Sequence, residues 1–136
     1  MVFSSNRVAR KPTINGMRGM NLSGMSDRMD LTLECLRRLY LGDQATPLGP
    51  TLARYPEFFA LFLDFEGFVT FFHLQDLVDE GGRVRFLLGR EPFVTDARPQ
   101  SLAEYDEYRL RSVELVASRN KRITRWAAAH LATDQG

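Results

Sequence analysis

The chain has 136 residues, of which 44% are hydrophobic and 26% are charged, and its formal net charge is +1. This length fits one domain, and the apolar content is too high for a disordered chain. A net charge near zero creates no overall field that would attract nucleic acid or an anionic membrane. Residues 1–26 differ from the remainder, because they contain four basic residues and no acid.

The cysteine content limits the possible chemistry. Cys35 is the single cysteine, which excludes an internal disulfide and gives no support for a structural zinc site. It lies among apolar residues with helical spacing, as expected of a small buried side chain. The first residues lack the continuous apolar core and the cleavage site of a signal peptide. We therefore expect a cytoplasmic protein without a metal or a cofactor.

The N-terminal quarter of the chain is predicted to contain an arm and one helix. Residues 1–24 read as an irregular or weakly β N-terminal arm with a turn at Asn15-Gly16, and residues 25–136 read as a single helical domain. A first helix is predicted over 26–41, followed by Gly42 as a stop signal and then by a loop. The periodic apolar residues of this helix are Met29, Leu33, Leu36 and Tyr40.

Seven of the ten phenylalanines lie between positions 58 and 72, and this aromatic run admits three interpretations. A membrane span is disfavoured, because the run is short and contains Asp64, Glu66 and His73. A buried core is the favoured interpretation, and a surface for a partner is the alternative. A single helix would place polar residues and glycine on two nearly opposite sides, with Glu57, Asp64 and Gly67 on one and Glu66, Thr70 and His73 on the other. We therefore predict two short helices within 56–78, with Pro56 at the start of the first and Asp64 capping the second.

The last third of the chain is predicted to contain a short strand and a long helix. Alternating apolar residues predict the strand over 83–88, and a loop follows over 89–100. Ser101 and Glu104 form a capping box that opens a helix over 101–131. Its apolar residues fall on one stripe, against which we expect the aromatic run to pack. The stripe consists of Leu102, Tyr105, Val113, Val116, Ile123, Ala127 and Leu131.

Two polar residues interrupt this stripe. Arg109 and Asn120 project into its middle, where a buried polar group requires a partner. One interpretation pairs them with acids such as Asp64 or Asp76, or with backbone carbonyls. The other makes them part of an anion-binding pocket. The candidate anion-binding residues are Asn15, Arg18, Arg109, Arg119 and Asn120.

No catalytic or metal-binding pattern is evident from the sequence. His73 and His130 are far apart and lack metal-ligand spacing, and nothing supports a Cys35–His73 pair. The basic residues within 119–125 raise the possibility of nucleic-acid binding. Four acids on the same helix argue against an extended cationic surface, so nucleic acid is not the expected partner.

Several stretches are also similar to a known family. They are Thr13–Gly19, Asp27–Arg38, Ala53–Phe59, Leu74–Val78, Glu104–Arg109 and Arg119–Ile123. In order and spacing they resemble an uncharacterised family of bacterial and phage proteins of unknown function. The resemblance implies no catalytic residue. It implies that the chain is the C-terminal portion of a longer protein, because members of that family extend further at the N-terminus.

The sequence thus predicts a mainly α (α+β) fold, with a long C-terminal helix and a minor β element. The expected function is a small non-enzymatic interaction module that binds another protein, or a second copy of itself, through segment 55–74. The first alternative is an enzyme or sensor that binds a phosphorylated small molecule through the Arg/Asn cluster. The second alternative is a nucleic-acid-binding protein.

Overall fold

The computed structural model describes Met25, residues 28–93 and residues 96–134. Its helices are α1 (Met29–Tyr40), α2 (Gly49–Leu52), α3 (Pro56–Ala60), α4 (Phe65–Phe71) and α5 (Leu102–Asp134), with a 3₁₀ helix at Gln75–Leu77. The predicted mainly helical fold with a long C-terminal helix is confirmed. The N-terminal arm predicted over 1–24 lies outside the described residues.

Helix α1 forms the centre of the hydrophobic core. The predicted helix is confirmed, although it begins at Met29 and not at residue 26. Leu33, Cys35 and Leu36 are fully buried, and they pack with residues from α2, α4 and the 3₁₀ helix. The buried position predicted for Cys35 is therefore confirmed. The other buried members of this core are Met25, Leu31, Leu48, Leu52, Phe59, Phe68, Val69, Leu74, Leu77, Val84 and Ala97.

A buried ion pair joins the start of α1 to the segment that leads towards α5. Asp30 is fully buried and pairs with Arg28, which is itself buried. The Asp30 carboxylate also accepts a hydrogen bond from the Leu87 N–H at 2.8 Å, and Arg28 donates to the Ala97 carbonyl at 2.9 Å. The pair therefore fixes two points of an otherwise irregular segment against α1.

The aromatic run forms two short helices that break at Asp64, as predicted. Pro56 occupies the first turn of α3, where its missing N–H costs nothing. Asp64 caps α4 by accepting a hydrogen bond from the Gly67 N–H at 2.8 Å. Helix α4 ends at Phe71, so the 3₁₀ helix, and not a continued α-helix, covers the last part of the predicted 56–78 region. The loop predicted before α3 contains the one-turn helix α2.

The strand predicted over 83–88 is not formed. Within the described ranges, β pairing there is a single antiparallel bridge between Val78 and Val84. The Asp79 side chain accepts hydrogen bonds from the backbone N–H groups of Gly81 and Arg83, which closes a tight turn. The Leu87 N–H is then taken by the buried Asp30 carboxylate. Two backbone hydrogen bonds tie the segment to the residues before the turn, from the Arg85 N–H to the Leu77 carbonyl at 2.7 Å and from the Asp79 N–H to the Arg83 carbonyl at 2.8 Å, but the pairing does not extend into a strand.

Helix α5 begins as predicted, but it docks through a different face. Ser101 accepts a hydrogen bond from the Glu104 N–H at 3.1 Å, and the Glu104 carboxylate accepts one from the Gln100 N–H at 2.7 Å. The docked side carries Tyr108, Leu115, Arg119, Arg122 and Trp126.

That side lies about 100° around the helix from the predicted apolar stripe. Leu102, Val113 and Val116 of the stripe are 79%, 59% and 54% exposed. The expectation that the aromatic run packs against the stripe is therefore wrong.

Candidate functional site

An exposed apolar surface lies at the turn between α3 and α4. Leu61, Leu63 and Phe71 are 74%, 90% and 66% exposed. Together with the partly covered Phe58 and Phe62 they form what we call the aromatic tip. Exposed apolar side chains that cluster in this way are typical of surfaces that bind a partner.

The backbone of the tip is held in an uncommon conformation. Leu63 has a φ of +68°, in the left-handed region that leucine rarely adopts. On the C-terminal side of Leu63, the turn is fixed by the Asp64 cap and by Gly67. A Cβ atom at position 67 would lie 2.0 Å from the Phe62 carbonyl oxygen, so only glycine fits there. The exposure of Leu63 is therefore set by a defined turn.

A ladder of aromatic rings connects the tip to the core. Phe62 contacts Phe58 and Phe71 with ring centroids 5.4 Å and 5.1 Å apart. It also contacts the fully buried Phe68 at 5.3 Å, in an edge-to-face geometry. The aromatic run is therefore partly core and partly surface. Phe59 and Phe68 are buried, whereas Phe58 and Phe71 are exposed.

A second candidate site is a polar groove between α5 and the segment around the 3₁₀ helix. The groove has a volume of about 540 Å³. Three arginines line it, Arg85, Arg111 and Arg122, together with the acids Asp76 and Glu114. Arg122 forms a two-point pair with Asp76 at 3.0 Å and 3.1 Å. Arg111 donates to the Phe86 carbonyl at 3.0 Å.

Of the predicted anion-binding residues, the structure describes Arg109, Arg119 and Asn120, and these three do not line the groove. Arg109 is exposed and lies 3.9 Å from the Asp106 carboxylate, and Asn120 is exposed. Arg119 faces the body of the protein and donates to the carbonyls of Phe72 and His73 at 3.2 Å and 2.9 Å. Backbone carbonyls are thus the partners of Arg119. Asn15 and Arg18 lie outside the described residues.

The described titratable groups give no arrangement for nucleophilic or metal chemistry. Burial raises the pKa of the Cys35 thiol, which keeps it in the unreactive protonated form. His73 packs edge-on against Trp126 with ring centroids 5.0 Å apart. In the part of the chain that the structure covers, no three His, Cys, Asp or Glu residues cluster as metal ligands would. None of the helices there is long and apolar enough to cross a membrane.

Comparison with known proteins places the chain in a family. A family model described as a family of unknown function (DUF6994) matches residues 1–123. The chain belongs to this family. Neither a curated protein nor a solved structure gives a significant match. The resemblance to a family of unknown function is therefore confirmed, whereas the bacterial or phage origin, the cytoplasmic location and the placement within a longer protein stay predictions.

Sequence reasoning found one of the two candidate sites. The clustered phenylalanines and the break at Asp64 pointed to the aromatic tip, although no pattern in the sequence indicated the backbone conformation at Leu63. The groove was missed, because Arg85, Arg111 and Arg122 are distant in sequence. Only the placement of α5 beside the 3₁₀ helix makes them neighbours.

Proposed function

We propose that the protein is a non-enzymatic interaction module that binds another protein through the aromatic tip. The observation that carries this proposal is Leu63, an almost fully exposed leucine in a left-handed backbone conformation. A left-handed conformation costs a leucine about 1–2 kcal/mol, whereas glycine adopts it freely. At 90% exposure the side chain gains no packing within the chain to offset this cost. Burial against a partner supplies that gain.

The surroundings of Leu63 support the same proposal. The ring ladder from Phe71 through Phe62 to the buried Phe68 holds the tip in place before a partner arrives. Anchors that are already ordered lose little conformational entropy on binding, which favours affinity.

The test uses variants that separate binding from folding. Leu63→Gly relieves the backbone strain, so we expect it to leave the folded state as stable as the native protein or more stable. Phe71→Ser removes a second exposed anchor. Leu41→Ser is the matched control, since Leu41 is 70% exposed but lies at the end of α1, outside the tip.

A photo-cross-linking side chain placed at position 63 or at position 41 then reports the contact in cells that make the protein. We expect a specific adduct from position 63 alone. We also expect the partner protein identified in that adduct, once purified, to bind the native chain and the Leu41→Ser variant. It should bind neither the Leu63→Gly variant nor the Phe71→Ser variant. Equal adducts from both positions, or unchanged binding by Leu63→Gly and Phe71→Ser, would refute the proposal.

A second proposed function is binding of an anionic small molecule in the groove beside α5. The convergence of Arg85, Arg111 and Arg122 on one groove of about 540 Å³ favours it. This volume suits a small ligand, and guanidinium groups bind phosphate oxygens at two points. The site differs from the cluster predicted from sequence, because Arg109, Arg119 and Asn120 do not line the groove.

A thermal-shift series with inorganic phosphate, nucleotides and sugar phosphates tests this second function. We expect stabilisation that Arg85→Ala abolishes and that Arg83→Ala leaves intact. Arg83 is the control because it is equally basic, lies two residues away and is largely exposed outside the groove. No shift with any compound, or equal loss in both variants, would exclude an anion site in the groove.

A further inference from the structure

An apolar cleft adjoins the aromatic tip. It has a volume of about 340 Å³ and lies between the end of α1, α2 and α3. Leu63 forms one edge of the cleft, and the other lining side chains are apolar apart from Gln44 and the Tyr40 hydroxyl. That hydroxyl donates to the Phe59 carbonyl at 2.7 Å, and the two rings meet edge to face with centroids 6.1 Å apart, which fixes one wall of the cleft. The cleft and the aromatic tip therefore form one continuous apolar surface, with Leu63 at their junction.

Acidic side chains border this surface. Three acids each lie next in sequence to a residue that lines the cleft, and they are Asp43, Glu57 and Asp64. None of them forms an ion pair with another residue that the structure describes. Asp43 and Asp64 accept hydrogen bonds from backbone N–H groups, which leaves their charges unbalanced. Burial, and then the charge of Asp64, raise the pKa of Tyr40 to about 12, so the field of Asp64 reaches the wall of the cleft.

The bases beside the cleft do not balance these acids. Arg38 neighbours Leu39 of the lining, but it pairs with Glu34 at 2.8 Å. Arg54 neighbours the lining residue Ala53 and is exposed, without an acid partner among the described residues. Three acids against this one base leave an excess of two negative charges around the apolar surface.

We propose that the partner of the aromatic tip is a short segment of another protein in which Lys or Arg side chains flank the apolar side chains. This inference rests on the function proposed for the tip and adds the chemistry of the partner. The apolar side chains of the segment enter the cleft beside Leu63, and its cations lie over the acidic border. Amphipathic segments are recognised in this way by apolar grooves between helices, and complementary charges at the rim select the partner.

A second copy of the chain is a poorer occupant for this surface. Two copies that met through the tip and the cleft would bring their acidic borders together, and juxtaposed like charges are unfavourable in an interface. A basic segment instead removes the excess negative charge while it covers Leu63.

Three fluorescent amphipathic peptides measure the preference by anisotropy. They share one leucine-rich face and differ in the polar face, which carries lysine, glutamine or glutamate. We expect the native chain to bind the lysine peptide about tenfold more tightly than the glutamine peptide, as three exposed ion pairs of ordinary strength would give. The glutamate peptide should bind more weakly than both. The preference should shrink as the salt concentration rises, because salt screens exposed charges.

A triple variant removes the charge of the border and keeps its hydrogen bonds. It combines Asp43→Asn, Glu57→Gln and Asp64→Asn, and asparagine still caps the start of α4. We expect this variant to bind the lysine and glutamine peptides equally, with the affinity that the native chain has for the glutamine peptide.

The matched control changes the net charge by the same amount away from the cleft. It neutralises three other exposed acids through Glu80→Gln, Glu91→Gln and Asp106→Asn, and it should keep the preference for the lysine peptide. A preference that disappears equally in both triple variants would show attraction to the net charge alone and would overturn the inference.

Leu63→Gly separates this inference from the function proposed for the tip. We expect this variant to lose both the lysine and the glutamine peptide. If the native chain binds these two peptides equally and Leu63→Gly loses them, the tip remains a binding surface but its partner is not basic. If Leu63→Gly binds the lysine peptide as the native chain does, the function proposed for the tip falls as well. Failure of every peptide to bind overturns the basic partner.

Two other occupants would give distinct results. A dimer in sedimentation velocity that Leu63→Gly dissociates would show a second copy at this surface and overturn the proposal. Replacing the four bases of residues 1–24 by glutamine in the full chain should leave the affinity for the lysine peptide unchanged. Tighter binding by that variant would show that these residues occupy the surface themselves, and it would overturn the proposal equally. The four bases are Arg7, Arg10, Lys11 and Arg18.

Discussion

Breaking the buried ion pair at the start of α1 should strongly destabilise this fold. The Asp30 carboxylate accepts hydrogen bonds from Arg28 and from the Leu87 N–H, and its side chain has no exposed surface. Asp30→Ala would leave a guanidinium and a backbone N–H in a dry environment without their acceptor. Loss of one partner from a buried pair costs about 3–5 kcal/mol. A domain of this size has a total stability of about 5–15 kcal/mol.

Urea unfolding followed by circular dichroism measures this change. We expect the midpoint to fall steeply with little change in the denaturant slope, because the surface exposed on unfolding is nearly unchanged. The double variant Arg28→Met with Asp30→Leu should recover much of the loss, since an apolar pair leaves no charge unpaired.

Asp96→Ala is the matched control for the broken pair. Asp96 pairs with Arg98 at the same spacing of two residues, but this pair lies at the surface, so the change in stability should be small. An Asp30→Ala variant no less stable than the Asp96→Ala variant would refute the reasoning.

Three further predictions concern the core, one tyrosine and the docking of α5. Phe68→Ala should cost about 3–5 kcal/mol in urea unfolding, whereas Phe71→Ala should change stability by less than about 0.5 kcal/mol; similar losses would contradict the division into core and tip. Burial and the nearby Asp64 charge raise the pKa of Tyr40 to about 12, so the stability it contributes is complete below pH 10 and is lost as the pH rises towards 12. Thermal unfolding across this range should show the loss in the native chain and a smaller loss in Tyr40→Phe, and identical profiles would refute the assignment. Arg119→Met should cost about 1.5–3 kcal/mol, because two carbonyls at the end of α4 lose their charged donor, whereas Arg109→Met should be nearly neutral; equal effects would argue against the docking geometry.

The helices were predictable because their signals are local. The cap at Asp64 and the Ser101–Glu104 box act within four residues, and both occur in the structure. The prediction of a strand over 83–88 was wrong for the opposite reason. Its alternation was real, but the acceptor for the Leu87 N–H is Asp30, fifty-seven residues earlier in the chain. A sequence pattern does not report an acceptor at that distance.

The face through which α5 packs was predicted wrongly for a related reason. Periodicity identifies which face of a helix is apolar, but not which face meets the body of the protein. Here the docked face is held by arginines that bind carbonyls and a carboxylate, and by Trp126 against His73. Each of these contacts depends on where the 3₁₀ helix and the end of α4 lie in space. The groove beside α5 was unpredictable for the same reason.

Two differences between the expected and the observed roles of side chains indicate where the function should be sought. The arginines that sequence reasoning assigned to a ligand include Arg119, which the fold uses to dock α5. The apolar residues that it assigned to the core include Leu63 and Val113, which the fold leaves exposed. Polar groups therefore hold much of α5 in place, while apolar groups remain available at the surface. A protein whose long helix is held by charged groups, and whose apolar side chains remain exposed, is suited to binding other proteins, as the proposal for the aromatic tip requires.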